Sequence, residues 1–165
     1  DTPLTHEVVA RGFAELYKLS GLRGRWETLS TDPHIVCDTA HNPAGVAVVA
    51  HQLEEESYDH LYIIVGMSAD KDIDTNLALL PSSARYYFCT TASQRTLPAE
   101  ELQQRAEAIG LRGRAYPSVE EALQEVLAHA NAGDLIFVGG SNFIVAELLK
   151  SYPLIQKERP VPMEG

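Results

Sequence analysis

The sequence predicts an α/β domain in which a mostly parallel sheet carries helices on both faces. Three observations support this. Short apolar runs rich in β-branched and aromatic residues alternate with longer stretches of helical periodicity over residues 26–149. Two runs, Tyr62-Ile63-Ile64-Val65 and Leu135-Ile136-Phe137-Val138, are apolar throughout, as strands buried on both sides require. Polar residues and glycines gather just after the runs, where an open α/β sheet binds its ligands. The expected architecture is therefore Rossmann-like.

The elements follow in order. Val8, Val9, Phe13, Leu16 and Leu19 recur at helical spacing, and Gly21 supplies a helix stop. A weak strand is expected at 26–29, stronger ones at 35–38, 61–66, 86–90 and 135–139, and another weak one at 114–116. Helices are expected at 43–56, 73–80, 99–109, 119–130 and 142–149. Asn42 can cap the first of these, with Pro43 at the first helical position, where a missing N–H costs nothing. Gly-Leu-Arg-Gly-Arg occurs twice, at 21–25 and 110–114, each time after an expected helix. A shared helix-ending role for the first glycine accounts for this without a repeat architecture. The domain is expected to span residues 21–152, followed by a loose tail at 153–165.

A chain of 165 residues fits one domain with a sizeable core, and 45% hydrophobic with 22% charged residues is a globular composition. The net charge of −10 argues against duplex nucleic acid or an anionic membrane as partner, since both reward clustered Lys and Arg. A few cations at one cleft could still hold an anionic ligand. No run reaches a transmembrane length and no secretory leader opens the chain, so the expected location is cytoplasmic. Cys37 and Cys89, each inside an apolar run, are expected to be buried, inert thiols.

Four segments should share the carboxyl edge of the sheet. In the first, Asp38 ends a strand, where a carboxylate can accept from ribose hydroxyls, and His41 could donate to a phosphate or carbonyl. Both could equally organise the turn, and as an Asp-x-x-His metal pair they lack further ligands. The second holds Asp70, Lys71 and Asp72, which also read as a self-neutralising charge run with Asp70 or Asp72 capping a helix. The third is 90–93. The fourth, Gly139-Gly140-Ser141-Asn142, is like an anion-binding strand-to-helix turn but lacks a dinucleotide fingerprint. No Gly-x-x-x-x-Gly-Lys-Ser/Thr loop occurs, so the usual cradle for a triphosphate tail is absent from this sequence.

Taken in order, Gly24-Arg25-Trp26-Glu27, Asp38-Thr39-Ala40-His41-Asn42-Pro43, Gly66-Met67-Ser68-Ala69-Asp70-Lys71-Asp72 and Gly140-Ser141-Asn142 resemble the C-terminal domain of the folylpolyglutamate synthase/dihydrofolate synthase family, within the Mur-ligase superfamily. The resemblance runs from about residue 20 to 150, and residues 1–20 resemble the segment leading out of that family's N-terminal ATPase domain. Thr39 departs from the smaller or apolar residue common in the family.

The resemblance implies an ATP-dependent ligase. ATP phosphorylates a folate-type carboxylate, and the amine of glutamate attacks the acyl phosphate to form an amide. It further implies that Arg25 meets the polyphosphate, Asp38 the ribose, and His41 a position beside the nucleotide. Ser141 is implied near the incoming glutamate and Lys71 at an anionic substrate group, so His41 and Lys71 are the catalytic candidates. No metal ligand is expected in this chain; the phosphate loop and Mg2+ ligands belong to the N-terminal domain, which shares ATP, glutamate and the folate-type substrate with this one. The expected state is a monomer, inactive without that partner domain. A Mur-type amino-acid ligase of peptidoglycan synthesis and a non-enzymatic nucleotide-binding module remain as alternatives. A dinucleotide oxidoreductase is disfavoured by the missing glycine fingerprint.

Overall fold

The computed structural model describes residues 25–158. The helix expected at 5–19, Gly21, Gly24 and residues 159–165 lie outside the described residues.

Six strands form one sheet: β1 (Glu27–Thr31), β2 (His34–Asp38), β3 (Leu61–Val65), β4 (Arg85–Cys89), β5 (Gly113–Tyr116) and β6 (Leu135–Gly139). Among the described residues, five helices connect or follow them: α1 (Pro43–Glu55), α2 (Ile73–Leu79), α3 (Ala99–Glu107), α4 (Val119–His129) and α5 (Asn142–Glu158). The sheet order is β1-β2-β6-β3-β4-β5. Only β1 is antiparallel, paired to β2 through a register shift between Thr28 and Ser30. The other five strands are parallel, so β2, β6, β3, β4 and β5 all end at one edge.

The period-two side-chain alternation of strands divides the core in two. Val36, Ile63, Val65, Phe88 and Phe137 meet Val49 and Leu53 of α1, Leu77 of α2 and Leu102 of α3. Ile35, Cys37, Ile64, Cys89 and Val138 meet Val126 of α4 and Leu148 of α5 on the other face. Every residue of β3 and β6 is buried. This explains their unbroken apolar runs, and each such side chain contributes roughly 1.5–3 kcal/mol through burial. Cys37 and Cys89 are buried, as expected, and burial pushes the Cys89 thiol far above its usual range. Gly110, at φ +89°, ends α3 through a bond from Leu111 N–H to Ala106 O, as the shared pentapeptide suggested for this copy.

Two expectations need correction. The last helix does not stop at residue 149 but continues to Glu158, through Pro153. Residues 153–158 are thus helical rather than loose. Pro153 removes one backbone donor, yet Ile155 is buried at 3% exposure beside Tyr152 and Leu148, and that burial helps offset the lost bond. Asp72 stands at the N-cap of α2 as anticipated, but its side chain makes no capping hydrogen bond there.

Candidate functional site

The carboxyl ends of the parallel strands deliver their loops to a cleft of about 150 Å3. It is lined by His41 from the β2–α1 turn, Ser68 and Lys71 from the β3–α2 loop, and Arg95 from the β4–α3 loop. Ser141 and Phe143, where β6 passes into α5, complete it. Three sequence-derived candidates, His41, Lys71 and Ser141, therefore meet in one place. Arg25 and Asp38 do not line this cleft; they pair with each other at the end of β2, where Asp38 lies in register with Gly139 of β6.

Glycine permits this close assembly. Gly140 sits at φ +104°, and a β-carbon there would stand 2.3 Å from Gly66 O. A β-carbon on Gly66 would in turn stand 2.6 Å from Cys89 O. Side chains at either position would push β3, β4 and the start of α5 apart.

His41 is held on both sides. Its Nδ1 lies 3.1 Å from Thr39 O, which can only accept, so Nδ1 carries the proton and Nε2 remains for a ligand. Its backbone carbonyl accepts from Asn76 Nδ2 at 3.1 Å. Asn76 is buried on α2, and among the described residues its Oδ1 has no hydrogen-bond partner. Asn42 caps α1 by accepting from Gly45 N–H at 2.9 Å. The turn is therefore set before any ligand arrives.

Ser141 is 1% exposed, and its Oγ accepts from Ile144 N–H at 3.2 Å. It caps α5 while its hydroxyl hydrogen stays available. The positive end of the α5 dipole opens onto the same cleft, which favours an anion there. Arg95 is delivered by a two-loop clasp: Ser68 and Thr96 form an antiparallel bridge, and Ala69 N–H donates to Arg95 O at 2.8 Å. Its guanidinium lies 6.0 Å above the Phe143 ring. Lys71 and Arg95 against Asp70 leave this cleft net positive on a molecule of net charge −10.

Asp38 is 2% exposed, with both oxygens engaged. Oδ1 accepts from Ala40 N–H at 2.8 Å and Oδ2 from Trp26 N–H at 3.0 Å, while Arg25 Nη1 stands 3.8 Å from Oδ1. Burial raises its pKa, opposed by the Ala40 N–H, the Arg25 charge and the Trp26 N–H. Trp26 has φ 42°, an uncommon conformation for a bulky residue, and is held by this bond and by its ring 6.1 Å from Phe137. The carboxylate so anchors the arm that carries Arg25.

Sequence reasoning missed Arg95, Asn76 and Phe143. Nothing around Gln94-Arg95-Thr96 marks a site; the clasp to Ser68 brings Arg95 there, and that pairing leaves no sequence signal. Among the described residues, no group of three His, Cys, Asp or Glu side chains is placed to hold a metal ion. No helix of the described residues is long and apolar enough to cross a membrane.

The family pattern described as Mur ligase, glutamate ligase domain, matches residues 24–142. The chain belongs to this family. Among Mur-ligase relatives, it is 34% identical over 142 residues to a probable bifunctional folylpolyglutamate synthase/dihydropteroate synthase of Halobacterium salinarum, covering 86% of this chain and 17% of that protein. It is 30% identical to the dihydrofolate synthase/folylpolyglutamate synthase of Escherichia coli, covering 78% of this chain and 30% of that one. The chain thus spans less than a third of the length of these relatives. The solved structure of E. coli FolC in complex with ADP, without folate substrate, is similar with a TM-score of 0.76 and 25% identity, over 94% of this chain and 41% of that one. A bifunctional folylpolyglutamate synthase/dihydrofolate synthase with Mn, AMPPNP and L-glutamate bound is similar with a TM-score of 0.73 and 26% identity, over 93% and 36%.

Proposed function

We propose that this chain is the C-terminal part of an ATP-dependent ligase that joins glutamate to a folate-type carboxylate, dihydropteroate or a folyl-glutamate. The observation that carries this reading is the net-positive cleft of His41, Lys71, Arg95 and Ser141 in a member of the Mur-ligase family. In the reaction proposed, the γ-phosphoryl group of ATP passes to the substrate carboxylate. The glutamate amine then attacks the acyl carbon, an amide forms, and phosphate leaves.

Each local residue has a role in that scheme. Arg25, always charged and forked, meets the polyphosphate. Asp38 fixes Arg25 and Trp26; a direct ribose contact would require the arm to shift, because the carboxylate is 2% exposed. His41, with Nδ1 committed to Thr39, offers Nε2 beside the nucleotide. Ser141 and the α5 N-terminus face a carboxylate of the incoming glutamate, while Lys71 and Arg95 hold anionic substrate groups. The divalent ion, magnesium in this proposal, is held by an N-terminal domain that shares the substrates. A closed cleft between two domains would exclude water from the acyl phosphate. The enzyme is proposed to be monomeric and cytoplasmic, and this part alone to be inactive.

The test is ATP-dependent incorporation of labelled glutamate by the full-length polypeptide, with dihydropteroate and with a reduced folate. Arg25→Ala, Lys71→Ala and Arg95→Ala should each lower kcat/KM by about 10- to 1,000-fold while circular dichroism stays unchanged. Absence of incorporation with either acceptor would overturn the folate assignment and favour a peptidoglycan precursor as acceptor. Full activity in all three variants would remove the cleft from the mechanism.

A further inference from the structure

A second concave surface lies away from the cleft and shares no residue with it. It is a groove of about 530 Å3 along β4 and the edge strand β5, walled by α4. Arg85, Arg112 and Arg114 line it, together with Tyr87, Tyr116 and Glu125. Arg85 opens β4 and Arg112 precedes β5, so both stand at the ends of those strands opposite the cleft.

The groove concentrates unneutralised charge. Arg105 pairs with Asp74 and Arg25 with Asp38, but among the described residues Arg85, Arg112 and Arg114 make no ion pair or side-chain hydrogen bond. Three like charges facing one volume repel each other, in a molecule whose net charge is −10. Arginines on an edge strand discourage pairing with other chains, and that accounts for Arg112 and Arg114. It does not account for Arg85, which sits on an inner strand and faces the same groove. Glu125 is the only lining carboxylate among the described residues, and it already accepts or shares a proton with His129 Nε2 at 3.1 Å.

The aromatic wall completes a recognition surface. The Tyr87 and Tyr116 rings stack with centroids 5.5 Å apart and an interplanar angle of 27°. Burial raises both phenols above their usual range, so their hydroxyls stay protonated and can donate. Guanidinium forks and phenol donors together suit oxygens of phosphate or carboxylate groups. The volume is that of a small-molecule pocket.

We propose that the groove formed by Arg85, Arg112, Arg114 and Tyr116 binds a compact polyanion, a polyphosphate or an oligocarboxylate, at a site separate from the cleft. The assignment is independent of the proposed ligase activity. The test is isothermal titration calorimetry on the full chain carrying Lys71→Ala and Arg95→Ala, which weakens the cleft as a competing anion site. The probes are inorganic triphosphate and, separately, a γ-linked tetraglutamate. At least one should bind saturably and more weakly as salt is raised. Adding Arg112→Ala with Arg114→Ala should lower its affinity at least about tenfold, and Glu125→Gln should raise it. Because both arginines are exposed, the variants should melt at the parent temperature, which checks the fold. The probe that binds identifies the source of the anion. Failure of both probes to bind saturably, or binding that ignores the arginine changes, overturns the site.

Discussion

Two buried aspartates show how burial and hydrogen bonding compete at single residues. Asp134 lies 2% exposed at the entry end of β6. Burial alone would raise its pKa, but donors from Asn131 N–H, the His60 ring and His60 N–H together lower it below 3.8. A depressed carboxyl contributes stability that is fully present above the unfolded value of 3.8 and fades as pH falls through the lower folded value. Asp38 has the opposite sign: its folded pKa is raised, so stability linked to its neutral form is present below 3.8 and lost as pH rises through the folded value. Asp134→Asn should cost about 1–3 kcal/mol at pH 7, from a buried hydrogen-bond network. The gap from the parent should narrow below about pH 4. Urea midpoints of both proteins from pH 3 to 7 check this, and a constant gap would show that Asp134 titrates alike folded and unfolded.

At the scale of elements, strands were legible where burial is complete. The runs of β3 and β6 are apolar on both faces, short and rich in β-branched and aromatic residues, as fully buried strands are. β1 was legible only weakly because it is an edge strand with a shifted register and half-buried residues. The length of α5 was misread for a different reason. The expected helix ends at 149, whereas the helix continues because Ile155 reaches the core about one turn beyond Tyr152 and two beyond Leu148. Ile155→Ala should therefore cost about 2–4 kcal/mol and lower the melting temperature by several degrees. Leu154→Ala, at 56% exposure, should change it little. Equal effects from the two would mean that the last turns of α5 do not pack on the sheet.

For the whole molecule, one sheet serves two cores. The same β3 strand sends Ile63 toward α1–α3 and Ile64 toward α4 and α5, so neither face can loosen without disturbing the other. Urea unfolding followed by far-ultraviolet and near-ultraviolet circular dichroism should give coincident curves. Separated curves would show that one helical face melts first. The parallel sheet also explains why the site's location could be read before its membership. Strand ends gather at one edge by topology, which the alternation of runs reveals. Which side chains then face each other depends on clasps such as Ser68 with Thr96, formed between loops distant in sequence. The segments that hold His41, Lys71 and Ser141 followed from the first principle, their choice as site residues rested on the family resemblance, and Arg95 needed the second.

Trp26 is the single tryptophan of the chain, and it sits on the arm that Asp38 ties to the sheet. Its indole is half-buried against Phe137, and Arg25 precedes it directly. The molecule thereby carries its own optical gauge. Within these 165 residues, emission from one indole, with no label, follows the polarity around the arm. A nucleotide drawing Arg25 away from Asp38 would register as a spectral shift from this chain.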